Sequence, residues 1–286
     1  MDIKIIDENS VAISGITINL DATFDCGQCF RWEKKNGRWV GIAYNKIIEI
    51  YDFIDGIIIK NTNIDDVKNI WIEYLDLDRD YSDILNKIDK KYQNEYLKNA
   101  YEYGKNIHIL AQEPLETIIS FIISANNNIP RIKKIINSFC EIFGSKIIYK
   151  NDEYYTFPTV KQLQNFTSTE QISSIKAGFR DKYIFDAVQK IVKNEINIEN
   201  LYELSTDSVR NELMKIKGIG QKVADCILLF AFSRMETFPK DVWINRVIAA
   251  VYGKDFDEKC FGQNAGIIQQ YLFYYASKKI DIKDII

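Results

Sequence analysis

The stretch that most constrains this chain is Leu213-Met-Lys-Ile-Lys-Gly-Ile-Gly-Gln-Lys-Val-Ala-Asp-Cys-Ile-Leu-Leu-Phe230. A short helix is predicted to end near Lys217, Gly218-Ile219-Gly220 turns the chain, and a second helix begins around Gln221. That second helix buries Val223, Ala224, Ile227 and Leu228. Two glycines around one aliphatic residue allow backbone angles that a side chain forbids, and they let a phosphate approach the main chain. The candidate phosphate grip is therefore Gly218, Gly220 and Val223, backed by the free N–H groups and dipole of the second helix. Taken alone, Gly-Ile-Gly is more often a plain helix–helix turn. A nucleotide-binding P-loop is ruled out, because Gly220 is followed by Gln221, Lys222 and Val223 instead of Lys-Ser/Thr.

Composition limits what such a hairpin can serve. Of 286 residues, 47% are hydrophobic and 27% charged, which suits packed cores rather than disorder. The net charge of −3 means that any grip on nucleic acid is local rather than global. The cysteines, Cys26, Cys29, Cys140, Cys226 and Cys260, are odd in number and scattered, as in a reducing compartment. Cys26 and Cys29 form a C-x-x-C pair, but zinc needs two further ligands and His108 is the sole histidine. No metal site is expected. The charged Met1–Ser10 segment has no signal-peptide core, and no apolar run reaches the roughly 18 residues of a membrane span. A soluble cytoplasmic protein of bacterial type, with no membrane contact, is expected.

Two textures divide the chain. Val11 to Leu20 alternates around Gly15, Asn36-Gly37 sits between Trp32 and Trp39, and Asp55-Gly56 sits between Phe53 and Ile57. Both dipeptides favour the positive φ angles of tight hairpins, so a small antiparallel sheet is expected over about residues 3–61. Helical patterns start near Asp65 and Ser82, the latter running through Leu85, Ile88, Tyr92, Tyr96 and Leu97. From Asn106 onward only helices are expected: 115–124, 129–143, 179–192, 207–215, 223–232, 242–252 and 263–279. The expected class is α+β: a small sheet domain with flanking helices, residues 1–103, then an all-α domain, residues 104–286, joined by a packed junction.

Lys222 stands in the first turn of its helix, where the dipole disfavours a cation and so favours a neutral, nucleophilic amine. Most lysines, however, are simply exposed. Asp241, in Phe238-Pro-Lys-Asp-Val-Trp243, precedes the helical pattern Val242, Ile244, Val247, Ile248 and Val251. Its ordinary role would be an N-cap. A fixed anion can also steady a positive charge that develops on a bound substrate.

With hairpin, lysine and aspartate together, the sequence resembles the helix-hairpin-helix (HhH-GPD) DNA glycosylases, and within them the 8-oxoguanine glycosylase/AP-lyase branch. The resemblance implies a TBP-like sheet domain followed by a helical glycosylase domain. It implies that Lys222 attacks C1′, expels the base through a Schiff base, and nicks the strand by β-elimination, with Asp241 assisting. Cys26-Gly-Gln-Cys-Phe-Arg-Trp32 resembles the branch's N-terminal signature. By that match the Gly27 carbonyl accepts from N7–H, a hydrogen present in 8-oxoguanine and absent from guanine. Ala265-Gly-Ile-Ile-Gln-Gln-Tyr-Leu-Phe273 resembles the branch's base-reading helix, with Gln269 on the Watson–Crick edge, Phe273 stacking, and Cys226 pressing the opposite face. Ser124-Ala-Asn-Asn-Asn-Ile-Pro-Arg131 and Gly178-Phe-Arg-Asp181 resemble its opposite-strand segments. These imply that Asn126 fills the hole left by the flipped base, Phe179 is the wedge, and Arg131 with Arg180 reads the widowed cytosine.

Three positions depart from the pattern. Phe179 replaces a usual tyrosine, Lys240 a small apolar residue, and Trp243 a phosphate-contacting histidine. The implied partner is double-stranded DNA carrying 8-oxoguanine opposite cytosine, bound by a monomer. No cofactor is implied, although a monovalent or divalent ion on the hairpin carbonyls is compatible with the pattern. Two alternatives remain at this level: a monofunctional glycosylase for another damaged base, which would not need Lys222, and a non-enzymatic hairpin module that only binds DNA.

Overall fold

A computed structural model describes residues 1–278 of the chain. The first sixty residues form a six-stranded antiparallel sheet in the order β1-β2-β6-β5-β4-β3. The strands are β1 (Asp2–Asp7), β2 (Ser10–Ser14), β3 (Trp32–Lys35), β4 (Arg38–Ala43), β5 (Lys46–Phe53) and β6 (Gly56–Lys60). Alternation along the strands puts Val11, Ile13, Trp39, Ile48, Ile50, Ile57 and Ile59 on one buried face. That face packs on the helix Leu20–Asp25 and on a helix over 64–74, with Phe24 stacked on Trp32 at 4.0 Å between ring centres.

The turns diverge in part from expectation. Asn36 (φ 50°) and Gly37 (φ 77°) make the expected two-residue hairpin. Asp55-Gly56 does not, because Phe53 pairs directly with Gly56 and the loop is Ile54-Asp55. Gly56 is needed for a different reason: a Cβ there would stand 2.0 Å from the Ile13 carbonyl oxygen of the neighbouring strand. A third hairpin turns on Tyr44 (φ 51°) and Asn45 (φ 59°), which carry no glycine to signal it. The alternation from Val11 also ends earlier than expected, since Gly15 (φ 69°) closes β2 and Leu20 opens a helix.

The second half is helical except at one place. β7 (Lys146–Tyr149) and β8 (Asp152–Tyr155) form a hairpin inside the segment expected to be all helix. Its Ile147, Tyr149 and Tyr154 cover Val40, Ile42 and Ile47 on the second face of the sheet. Lys150 pairs with Glu49 at 2.5 Å and Lys35 with Asp152 at 3.2 Å across the same contact.

The helical pattern expected from Ser82 breaks into 3-10 turns at Leu85–Lys87 and Lys90–Tyr92 before the helix Glu95–Tyr103. The side chains of Asp89 and Asn94 cause the break by accepting from the N–H groups of Lys91 and Leu97. The apolar residues of this stretch still enter the core of the helical half, where Tyr96 and Tyr101 pack edge-on against Tyr275 and Tyr271. The helix Ala265–Ser277 on which they pack spans most of the expected 263–279; Lys279 lies outside the described residues. No helix among the described residues is long and apolar enough to cross a membrane.

Candidate active site

The hairpin gives its two glycines separate tasks. Gly218 takes φ 86°, and a Cβ on it would meet the Tyr183 ring at 2.6 Å. Gly220 is extended (φ −97°, ψ −179°), caps the helix Gln221–Phe232, and has open space where a Cβ would be. Ile219 is buried between them. No side chain caps the first turn of this helix, so its N–H groups remain available to an anion. Asp186 fixes the turn by accepting from the Lys217 N–H at 2.8 Å, and Arg210 ties the helix Thr206–Met214 to Asp225 at 2.7 Å.

Lys222, half-buried on this helix, opens into a cleft of about 430 Å³. Asp241 lines the same cleft. Its Oδ1 accepts from the Ile244 N–H at 2.8 Å, so it is the N-cap of Val242–Val247 while its side chain remains at the cleft wall. Burial raises the Asp241 pKa, and the Ile244 N–H and the Lys222 charge act against that rise. A single carboxylate thus orients a helix and stands beside the amine. The Lys222 Nζ lies 5.7 Å from the centre of the Phe121 ring, which stacks on Phe230. These aromatics of the cleft floor, with Phe30, are indistinguishable in sequence from core, and they were not singled out there.

Gly27, Cys226, Gln269 and Phe273 all line the cleft. Gly27 has φ 79°, an angle that favours glycine, and a Cβ on it would sit tightly against the Phe273 ring at 3.2 Å. Gln269 is 5% exposed. Its Nε2 donates to the Pro239 carbonyl at 3.2 Å, which fixes the orientation of the amide, and its Oε1 is buried with no partner. An acceptor left free on a cleft wall can take a hydrogen bond from a ligand that enters. The Cys226 thiol is pushed up by burial, with Lys222 acting in the opposite sense, so it contributes a small apolar surface rather than a thiolate. Cys26 and Cys29 are buried too, the Cys26 thiol pushed up to about 12 by burial. They serve the packing of their segment, Cys26 in the core of the helical half and Cys29 in that of the sheet.

The opposite-strand residues gather on the rim. Asn126 is exposed at φ 50° on the turn that follows the helix Pro114–Ser124. Asn128 caps the helix Ile129–Phe143 through the Arg131 N–H at 3.0 Å. Phe179 is 53% exposed, a large aromatic held on the surface against the Arg180 guanidinium at 4.3 Å. Arg180 itself is only 2% exposed. It donates to the carbonyls of Ala125 (2.9 Å), Asn126 (2.8 Å) and Ala177 (3.2 Å). In this state it braces the Asn126 turn instead of offering a free fork to a base. Arg131 is exposed and close enough for its charge to lower the Arg180 pKa, burial being the larger cause. Trp243 lines the cleft and carries the Arg246 guanidinium 5.1 Å from its ring, while Lys240 is paired with Glu258 at 2.6 Å.

A sheet domain joined to a helical half that carries a hairpin, a lysine and an aspartate defines a base-excision DNA glycosylase of the helix-hairpin-helix class. Residues 10–118 match the family described as 8-oxoguanine DNA glycosylase, N-terminal domain, and residues 119–259 match the HhH-GPD superfamily of base excision DNA repair proteins. The chain belongs to the 8-oxoguanine DNA glycosylase family within that superfamily. It is 39% identical to the Clostridium acetobutylicum 8-oxoguanine glycosylase/lyase solved with double-stranded DNA containing cytosine opposite 8-oxoG, with a TM-score of 0.87 over 97% of this chain and 99% of that one. It is 41% identical to MBOgg1 solved with a low-affinity DNA ligand, with a TM-score of 0.91 over 97% and 99% of the two chains. The N-glycosylase/DNA lyase of Saccharomyces cerevisiae is 38% identical over 159 residues, 52% of this chain and 42% of that protein. The match therefore spans less than half the length of the yeast relative.

Proposed function

We propose that this protein removes 8-oxoguanine from duplex DNA, opposite cytosine, and cuts the strand at the resulting abasic site. The hairpin N–H groups at Gly220 and Val223 hold a backbone phosphate, and the damaged nucleotide is turned out into the cleft. Asn126 and Phe179 occupy the gap, and Arg131 faces the widowed cytosine; Arg180 joins it only by releasing the turn it braces. The base lies between Phe273 and Cys226. The orphaned Gln269 Oε1 accepts from the N1–H and N2–H edge, which guanine shares, so it reads the purine and not the damage. The Gly27 carbonyl reads the damage, because only 8-oxoguanine presents a hydrogen at N7.

In the chemical step the Lys222 Nζ bonds to C1′ as the C1′–N9 bond breaks and its electron pair leaves with the base. The excess proton of the amine passes to the departing base or to Asp241. Opening of the sugar at O4′ gives an imine at C1′, and loss of a C2′ proton then expels the 3′ phosphate. Asp241 stabilises the positive charge that builds on the sugar. The scheme uses only the amine and carboxylate of one chain, acting as a monomer without a cofactor.

The observation that carries this reading is the convergence of Lys222, Asp241 and the unpartnered Gln269 oxygen on one cleft. Borohydride added to the protein with an 8-oxoguanine:cytosine duplex should yield a covalent adduct, and Lys222→Gln should yield none. Absence of the adduct with the unsubstituted protein would remove the lyase half of the proposal. Excision scored opposite each of the four bases tests the preference for cytosine.

A further inference from the structure

The two groups assigned to base reading come from opposite ends of the chain. Gly27 follows the helix Leu20–Asp25 of the sheet half, and Gln269 sits on the helix Ala265–Ser277. A glycine at φ 79° does little to fix the direction of its own carbonyl. The peptides on either side of it are pinned instead. Gln270, 2% exposed, donates from Nε2 to the Cys26 carbonyl at 2.7 Å. Gln112 donates to the Gln28 carbonyl at 2.8 Å. The Gln28 side chain, fully buried, is held by the Thr23 and His108 carbonyls at 2.9 and 2.8 Å and by the Leu110 N–H at 2.9 Å. Among the described residues no donor engages the Gly27 carbonyl that lies between these two anchored neighbours.

We infer that Gln270 is a positioning residue for damage recognition: it sets the Gly27 carbonyl at a fixed distance from its own neighbour, Gln269. The bond spans 244 residues and ties the loop of one half to the helix that carries both Gln269 and Phe273. The only other side-chain hydrogen bond or ion pair between these two segments among the described residues, Lys278 to Asp25, is exposed and open to screening. Gln270 borders the same cleft as Lys222, but its side-chain hydrogen bond goes to the Cys26 carbonyl and not to the amine. Its loss should loosen the reading of the base while leaving the cutting chemistry intact. The inference rests on the proposed function.

The test compares Gln270→Met, which keeps volume and removes the donor, with Gln270→Glu, which keeps shape and sets an acceptor against the Cys26 carbonyl. Release of 8-oxoguanine should fall on the order of tenfold to a hundredfold, as for a displaced positioning group. Strand cutting at a preformed abasic site, which has no base to read, should be unchanged. Equal loss of both activities would show a merely structural role and overturn the inference, as would full 8-oxoguanine release by both variants. If the unsubstituted protein releases no 8-oxoguanine, the proposed function falls and this inference falls with it, an outcome distinct from failure in the variants alone.

Discussion

Among the residues that line the cleft, Gln269 is the one whose surroundings run against stability. Its buried Oε1 has no partner, a deficit worth roughly 1–3 kcal/mol. Gln269→Met should fill the same volume, give up one long hydrogen bond to Pro239, and relieve that deficit. Its melting temperature should match or exceed that of the parent, while 8-oxoguanine release drops by about 10- to 100-fold; a clear fall in melting temperature would mean that the side chain is structural. Lys222, Asp241, Gly27, Gln269 and Phe273 were legible in sequence because each sits in a segment whose spacing resembles a known pattern, and the fold brings them to one cleft. Arg180 shows where that reading stops. Its position in Gly-Phe-Arg-Asp says nothing about the Ala125 and Asn126 carbonyls that reach it from another turn. Phe121 was hidden for the opposite reason, since an aromatic on an apolar helix looks the same whether it faces core or cleft.

For the hairpin element, the division of labour between its glycines separates folding from binding. Gly218→Ala forces a left-handed angle on a side chain and drives it into Tyr183, and should cost roughly 2–4 kcal/mol. Gly220→Ala meets no such strain and should cost less than about 1 kcal/mol, yet its methyl group stands where a phosphate would approach. Chemical denaturation and duplex binding, measured on both variants, should therefore rank them in opposite orders. Sequence alone located the hairpin but not this asymmetry, which depends on Tyr183 from a distant helix. The strands β7 and β8 were missed on similar grounds. Their turn, Lys150 (φ 51°) and Asn151 (φ 69°), contains no glycine, and their apolar residues are too few to display a period. What makes them a hairpin is the sheet face of Val40, Ile42 and Ile47 that awaits cover.

Across the whole molecule, the junction between sheet and helices holds a half-buried acidic pair. Glu113 accepts from the Tyr44 N–H at 2.6 Å, and burial together with the nearby Glu116 pushes its pKa up to about 7. Glu116 is paired with Arg31 at 3.0 Å. With the folded pKa of Glu113 above its ordinary 4.5, its contribution to stability is fully present below about 4.5 and is lost as pH rises through 7. Glu113→Gln removes that dependence. Its melting temperature should approach the parent's near pH 5 and exceed it near pH 8.5, by an equivalent of roughly 3 kcal/mol at most; a difference that does not grow with pH would refute the assignment. The strand pair β7–β8 adjoins this junction, with Arg31 donating to the Tyr155 carbonyl, and its side chains grip the sheet. Together with the Gln270 tie, that grip leaves the two halves little freedom to part. On the proposed function, the base slot is shaped before DNA arrives, and apart from the turn that Arg180 braces the motion of entry falls on the nucleotide. Unstacking and unpairing a base costs a few kcal/mol, least where pairing is already weak. On the proposed function, capture should therefore be faster where the duplex opens more readily, so that a search along DNA becomes a survey of local helix softness.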